Sequence, residues 1–476
     1  MKKIFLFLIF CCISLGNVIA QSDDDYFTTQ SEEELFAVNS DDELFATDDD
    51  MFSGSGIEEV TDVKAKSDLS KGVIFQNGSV KIGGSFTTGV STMTKLYADD
   101  NKNFGEHISE TIFTPDLSAF LTVDARPTEI LRMYTKFGVA YPFKSAAFST
   151  AQTSLFKNPM SGQDIYTTKV QTSVTDYLKL KEIFTDFSVA DRAFFRFGIH
   201  TVTWGAGYFF SPVSDMINTS SINPEDPTAQ VDGSLNFRTQ IVFPGSQNCL
   251  WFYVIPSTDF TQGASSYLRD TALAGKADIM IGNYELGVGA FWKYQHAPKI
   301  MLTGTGAIKK VSLFAEAVYS YGAESEWSKN SEWNDKKSIF QATFGLNYLW
   351  KDPSITFAAQ YYYDGNDVDL THMYLTAGHN IAGVVSFGKI FGTTDFTANI
   401  FAMVNFGKEP LPEAAKAAYG DAATSFVNAM TVSAMLNYSP ISVLKFGFGP
   451  YFTWADFDGK PVVSLKLSAT LGGGRF

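Results

Sequence analysis

The chain has 476 residues, a formal net charge of −15, 43 Phe, 21 Tyr and 38 Gly. No basic domain or recognition motif interrupts this acidic balance, which excludes a nucleic-acid partner. Three cysteines in a chain of this length exclude a disulfide scaffold.

Lys2 and Lys3 precede an apolar run, Ile4 to Leu15, and then Val18-Ile19-Ala20, a small-residue cleavage pattern. Residues 1–20 therefore read as a signal peptide, too short and wrongly flanked to be a lone membrane helix. Phe10 and Cys11 stand where a lipobox would place a small residue, which argues against lipidation of Cys11 or Cys12. Loss of the signal would leave Cys249 alone, with no intrachain disulfide to stabilise an exported chain.

Residues 21–70 read as a disordered acidic extension on the periplasmic side. From Gln21 to Val63 there are fifteen acids and no lysine or arginine, whereas from Lys64 onward 36 acids meet 34 bases. Such charge density opposes compaction. Within it an acidic–aromatic unit recurs four times: DDDYF at Asp23–Phe27, EEELF at Glu32–Phe36, DDELF at Asp41–Phe45 and DDDMF at Asp48–Phe52. One reading is a solvated spacer. The other is a set of linear motifs for a periplasmic partner with a basic-rimmed pocket, strengthened by repetition. Calcium is disfavoured, because the glycine of a calcium loop is missing, and neither metal nor cofactor is expected anywhere in the chain.

Residues 71–476 show period-two alternation and no long helical period. Leu131, Met133, Thr135, Phe137 and Val139 share one face, opposite Arg132, Tyr134, Lys136 and Gly138. Leu286, Val288, Ala290, Trp292 and Tyr294 form a second such face, and Leu444, Phe446, Phe448, Phe452 and Trp454 a third. Each segment has the length of a tilted strand crossing a bilayer core. The alternation predicts an all-β fold, a transmembrane antiparallel β-barrel of 16–18 strands, with 18 as the best count. The strands fall at 79–90, 117–126, 129–140, 174–187, 193–203, 234–243, 248–257, 272–282, 284–294, 298–306, 308–320, 338–350, 354–364, 379–389, 393–406, 425–437, 441–454 and 461–471. Short turns near Arg126, Lys351, Lys389 and Tyr438 alternate with longer connections, as expected of a barrel with both ends on the periplasmic side of a bacterial outer membrane. Tyr294, Tyr319 and Trp454, near strand ends, suit interfacial girdles.

The opposite strand faces define a lumen. They carry Lys81, Arg126, Arg132, Lys136, Lys179, Lys181, Arg196, His200 and Arg238 on the first six strands, and Lys445 and Lys466 on the last two. Glu285 and Glu316 lie on the far side. A basic arc facing acids would focus charged solutes. Alternatively these groups hydrate the wall and pair with loop acids. Glycines at inward positions, Gly83, Gly138, Gly287, Gly447 and Gly449, would keep the lumen free of side chains. The segment Trp204–Gly233, stiffened by Pro212, Pro224 and Pro227, is the candidate constriction loop, with acceptors at Asp215, Asn218, Asn223, Glu225 and Asp226. A surface turn system is the other reading.

Two stretches carry a resemblance. The terminal Gly-Gly-Gly-Arg475-Phe476 looks like the C-terminal signal of outer-membrane barrels, which implies recognition of Phe476 by the barrel-assembly machinery. Val463, Leu465, Leu467, Ala469 and Leu471 are out of phase with Phe476, so either Gly472–Gly474 holds a bulge or recognition tolerates the offset. Phe194–Pro227, FFRFGIHTVTWGAGYFFSPVSDMINTSSINPEDP, resembles a segment of alginate-export-like and related porin-like barrels, in which R-x-G-x-Q precedes W-G and D-x-I-N-P-x-D. Here His200 replaces the glutamine, and Asp215–Asn218 is separated from Asn223–Asp226. The expected function is passive diffusion of small hydrophilic solutes across an outer-membrane lipid bilayer, with an anion preference. A surface adhesin or a structural barrel with a plugged lumen is the alternative. An enzyme is not expected: no G-x-S-x-G elbow or H-E-x-x-H pair is present.

Overall fold

The computed structural model describes residues 66–68 and 73–475, except 99–101, 112, 142–152, 158–163, 168–177, 191, 219–220, 228–230, 258–262, 330, 352–353, 367–376, 408–427, 456 and 458–459. The signal segment, the four acidic repeats and Phe476 lie outside the described residues.

The chain forms a closed antiparallel barrel of 18 strands. In order they are β1 Val80–Tyr97, β2 Phe113–Thr128, β3 Leu131–Tyr141, β4 Leu178–Val189, β5 Ala193–His200 and β6 Ser234–Val242. Then come β7 Cys249–Ile255, β8 Ala272–Ile281, β9 Tyr284–Trp292, β10 Lys299–Ile308, β11 Val311–Tyr321 and β12 Ser338–Trp350. The last six are β13 Ile355–Asp364, β14 Gly378–Phe387, β15 Phe396–Phe406, β16 Ala429–Ile441, β17 Leu444–Ala455 and β18 Val462–Arg475. Each pairs with its neighbours in sequence, and β18 returns to β1 with Leu471 opposite Thr88. Closure leaves no row of unpaired backbone groups along an open edge.

Every strand expected from the alternation is present, including the TGTG segment, which is the body of β10. The ends differ. β1 runs on to Tyr97 and β2 starts at Phe113, so the connection expected at 91–116 shrinks to 98–112. The turns expected at Arg126 and Tyr438 lie instead at 129–130 and 442–443. In both places the ladder shifts register beside a proline, between Ala125 and Thr128 and between Tyr438 and Ile441. Pro127 and Pro440 have no N–H to give to a ladder, so the strand passes them irregularly. Lys66–Asp68, inside the stretch expected to be disordered, pairs with Val73–Asn77, which in turn pairs with the start of β1. The sequence reading missed this ribbon.

β18 shifts register between Gly472, opposite Thr87, and Gly474, opposite Phe86. Of the two explanations for the phase break near the C-terminus, this is the bulge. Gly473 has no pairing partner, and the alternation moves by one residue.

The two strand faces differ as the alternation requires. Outward positions are apolar and exposed: Phe86 and Val90 on β1, Leu286 and Val288 on β9, Ile300 and Leu302 on β10, Phe446 and Phe448 on β17. Leu444 shares their face through its pairing with Leu471. Tyr294 and Tyr319 stand exposed at strand ends, and Trp454 meets Phe457 edge-on. Burying one such side chain is worth roughly 1.5–3 kcal/mol, so a belt of this extent exposed to water would be strongly unfavourable.

Nine connections lie at one end of the barrel, seven of them longer than ten residues, and eight lie at the other, none longer than eight residues. The longer ones hold the described helices: α1 Phe104–Ser109, α2 Ala264–Arg269 and α3 Glu324–Lys329. None is long and apolar enough to cross a membrane.

Candidate functional site: the lumen and its inward loop

The inward face of β2–β6 is a lattice of charges. Arg196 grips Asp186 through two nitrogens, Nε at 2.6 Å and Nη2 at 3.2 Å. Arg132 does the same to Asp124, at 3.0 and 3.2 Å, and its Nη1 lies 3.7 Å from Asp186. Between them the Phe184 ring has the Arg196 guanidinium at 4.0 Å and that of Arg132 at 5.8 Å. Paired guanidinium–carboxylate forks around an aromatic face suit buried arginine, because the charge is matched and the flat group stacks. Lys136 stands opposite Glu182, with its Nζ 4.9 Å from the Phe120 ring centre. Arg238 is buried over Trp251. His200 is buried edge-on to Phe184.

Lys181 marks a bulge: Lys136 pairs with Glu182 and Phe137 with Leu180. The extra residue lets Lys181 and Glu182 both turn inward, and Lys181 reaches Asp232 at 2.8 Å. Lys179 holds the register position opposite Gly138. Arg126 lies 3.7 Å from Asp124 at the short-turn end and is half exposed. Lys81 is paired in register with Asp124, Glu285 with Thr305, Lys445 with Thr470, and Lys466 with Gly449. All follow the inward phase. The sequence reading omitted Asp124, Glu182, Asp186 and Asp278. Asp124 and Asp186 share the phase of the cations and were open to the same counting. Glu182 was hidden by the bulge.

Gly138, Gly287, Gly447 and Gly449 do not open space as expected. The Phe120 ring already occupies the place of a Gly138 side chain, and Lys276, Asp278 and Thr303 surround that of Gly287. These glycines seat their neighbours. Lys276 is thereby held 2.9 Å from Asp278 and donates to the Trp204 carbonyl, also at 2.9 Å.

The described residues of the connection after β5 fold into the barrel. Glu316 on β11, 3% exposed, collects its first half: Gly207 N donates to Oε1 at 2.6 Å, Val213 N to Oε2 at 3.1 Å and Ser211 Oγ to Oε1 at 3.0 Å. Gly205 passes so close that any side chain there would strike Ser211 and the Glu316 carboxylate. Gln360 on β13 accepts from three successive N–H groups, Tyr208 at 3.1 Å, Phe209 at 2.7 Å and Phe210 at 3.3 Å. Its own amide donates to the Phe210 carbonyl at 2.6 Å. Two wall side chains thus do for the loop what a partner strand would do.

The loop also carries apolar groups inside. Val202, Trp204, Val213 and Ile217 pack with Tyr253, Ala272, Ala274, Phe291, Met301 and Val318. Phe209 and Phe210 pack with Ala358, Tyr362, Ala382 and Phe401. On this arc inward wall residues are apolar, and the loop supplies the apolar partners that make them stable.

The acceptors foreseen on the loop separate into different tasks. Asn218 pairs with both backbone groups of Val202, accepting at 2.8 Å and donating at 2.7 Å. Asn223 accepts from Glu225 N at 3.1 Å, and the Asp226 N–H reaches the Asn223 carbonyl at 3.0 Å, closing a tight turn. Glu225 accepts from Tyr451 Oη on β17 at 2.7 Å. Asp215 lines a cavity on the other side, against β11–β13. The loop therefore touches the wall from β7 round to β17.

From β12 to β16 the inward groups change character. Asn347, Gln360, Asn380, Asn405 and Asn437 are all buried, and Asn405 Nδ2 donates to Asn380 Oδ1 at 2.7 Å. The sequence reading gave these amides no role, although they stand in the inward phase.

No family model and no curated protein match the chain. Among solved structures it is similar to Pseudomonas aeruginosa OccK9 (OpdG), with 10% identity and a TM-score of 0.44 over 82% of this chain and 98% of that one. A BenF-like porin from Pseudomonas fluorescens Pf-5 gives 9% and 0.44 over 82% and 98%. The outer membrane channel DcaP of Acinetobacter baumannii gives 12% and 0.44 over 83% and 98%. A likeness of this size carries no function across. The resemblance of Phe194–Pro227 to alginate-export-like barrels is not shown by these comparisons.

Proposed function

We propose that the protein is an outer-membrane channel for passive diffusion of small hydrophilic solutes. The carrying observation is the closed barrel whose exposed outward face is apolar and whose inward face bears charges and amides. Only a closed barrel or a helix satisfies its backbone in lipid, and the described helices are too short. The loop 201–233, held by Glu316, Gln360 and Tyr451, narrows the path. In this reading residues 1–20 direct export, Phe476 serves assembly, and residues 21–70 extend into the periplasm with their repeats as partner motifs. Pull-down with the isolated tail tests the last point. Recovery of the same proteins after Phe27, Phe36, Phe45 and Phe52 are changed to Ala would remove it.

The anion preference is modest, because Arg132 and Arg196 are already matched by Asp124 and Asp186. Selectivity falls to the more exposed cations Lys81 and Lys445. Reversal potentials across a salt gradient in planar bilayers test both levels. Anion selectivity lost in Lys81→Glu with Lys445→Glu supports the assignment, and cation selectivity in the native protein overturns the preference. Absence of conductance steps overturns the channel. The anchoring of the loop would then favour a plugged structural or adhesive barrel.

A further inference from the structure

Charge is unevenly spread over the short-turn end. Three successive turns, at 309–310, 351–354 and 388–395, carry Lys309, Lys310, Lys351 and Lys389 against Asp352 and Asp395. The other five carry only Glu129, Asp191 and Arg192. All four lysines are exposed, and an exposed apolar residue goes with each turn: Ile308, Trp350 and Phe391, the last of them 86% exposed. Phe391 meets Phe396 edge-on, and Phe396 stacks on Tyr438 with ring centres 4.6 Å apart, so Phe391 extends the outward aromatic row. Two of these residues hold backbone positions that suit glycine, Lys309 with φ 57 and Phe391 with φ 56. The neighbouring turn 282–283 uses Gly282 for that task, with φ 63. Turn geometry alone therefore does not account for a lysine and a phenylalanine here.

We propose that this sector is a docking surface for anionic phospholipid headgroups, with Lys309, Lys310, Lys351 and Lys389 meeting the phosphates and Trp350 and Phe391 entering the leaflet beside them. The assignment rests on the outer-membrane reading with the short turns on the periplasmic side, and adds a lipid class to it. The surface is continuous with the apolar belt, because Ile308 and Trp350 are the last outward residues of β10 and β12. A lysine one or two residues beyond such a side chain lays its methylenes along the apolar surface and carries its ammonium to the headgroup level. Successive turns stand two strand spacings apart, roughly 10 Å. That is about one Debye length at 0.1 M salt, so their charges act on the same stretch of membrane. An acidic protein partner would need these turns clear of lipid, whereas Trp350 and Phe391 belong to the lipid side.

Four lysines less two aspartates leave a charge of +2 on the three turns. A zwitterionic headgroup offers nothing to that excess, and an anionic one does. The attraction is summed over exposed groups and so weakens as salt is added. Lys81 and Lys445 stand at the same end in the inward phase, opposite Asp124 and Thr470. They face the lumen and not the leaflet, and so separate lipid docking from lumen charge.

The test uses the full-length protein in detergent, titrated with dioleoyl phosphatidylglycerol and separately with dioleoyl phosphatidylcholine, with bound lipid counted by native mass spectrometry. Phosphatidylglycerol is expected to be retained in preference. A lysine at an anionic surface contributes about fivefold in affinity, so Lys389→Gln alone should lower the preference by about that factor. Lys309→Gln, Lys310→Gln, Lys351→Gln and Lys389→Gln together should abolish it. Lys81→Gln with Lys445→Gln should keep it. Phe391→Gly places glycine at a left-handed position, which spares the fold, and should lower retention of both lipids alike. Retained heat-modifiable gel mobility reports that each variant is folded. Equal retention of the two lipids by the native protein, an unchanged preference in the four-lysine variant, or an equal loss in the Lys81 and Lys445 variant overturns the proposal. Unchanged retention in Phe391→Gly removes the phenylalanine from the surface. Heptaglutamate is the acidic-peptide probe: its binding, lost in the four-lysine variant while the lipid preference stays, overturns the lipid assignment in favour of an acidic protein. Retention is read without conduction. A protein that shows the preference but no conductance steps therefore refutes the channel alone, and one that conducts without the preference refutes the docking surface alone.

Discussion

The arc β2–β6 and the arc β12–β16 face one lumen and solve the same problem with different groups. The first fills its inward positions with Asp124, Arg132, Lys136, Glu182, Asp186 and Arg196, matched in forks and stacks. The second uses Asn347, Gln360, Asn380, Asn405 and Asn437, which both give and accept hydrogen bonds. Matched charges hold a wall firmly but have little capacity left for anything else, since removing one partner strands the other. Amides can satisfy one another and still engage a third group. The loop N–H groups of Tyr208, Phe209 and Phe210 go to Gln360 on the amide side and those of Gly207 and Val213 to Glu316 on β11, while Lys276, Tyr451 and Lys181 reach the loop at Trp204, Glu225 and Asp232. The difference separates rigidity of the wall from attachment of the loop.

The comparison is broken most forcefully at the attachment. Glu316→Ala combined with Gln360→Ala leaves the N–H groups of Gly207, Tyr208, Phe209, Phe210 and Val213 without their acceptors, each worth about 1–3 kcal/mol while buried. The loop should leave the lumen, and single-channel conductance in planar bilayers should rise several-fold; an unchanged conductance would mean that it does not narrow the path. Next comes the charged arc. Asp186→Ala removes the carboxylate fork from Arg196 and loosens Arg132, with an expected loss of about 3–5 kcal/mol, read from the urea midpoint of the folded band in detergent. A smaller effect, about 1–2 kcal/mol, is expected of Asn218→Leu, which takes both backbone groups of Val202 out of their pairing. Protease nicking near residue 218 should increase. Smallest is Asn405→Ala in the amide arc. It removes the amide's neutral hydrogen bonds, the short one to Asn380 and the longer ones to the Ala377 and His379 carbonyls, and should cost about 1 kcal/mol by the same urea titration. A loss there equal to that of Asp186→Ala would erase the distinction between the arcs.

Much of this fold is legible in the sequence because a barrel strand is a local object. Period two, ten residues and a turn are written side by side, so β9, β10 and β17 are found without knowing what they pair with. The lumen phase follows from the same counting. Counting cations alone left Asp124 and Asp186 unread, and so made a neutralised lattice look like a basic arc. The bulge at Lys181 is different: nothing in LKLKEIF distinguishes a shift of one residue, because either phase buries a charge. The loop's anchors are beyond local reading altogether. Gln360 meets Phe210 across 150 positions, and Glu316 meets Val213 across 103. The prolines and glycines of 204–233 signalled stiffness, which is local, while the destination of the loop depends on side chains of strands that come much later.

The hydrogen bond from Tyr451 to Glu225 joins the loop to the penultimate strand. Its consequence is for assembly. β18 pairs with β1, the two strands furthest apart in sequence. Once that ring is closed, a loop carrying Trp204, Phe209 and Phe210 has only the two ends of the passage as entrances, so seating it on β11 and β13 before closure is the route that meets the least obstruction.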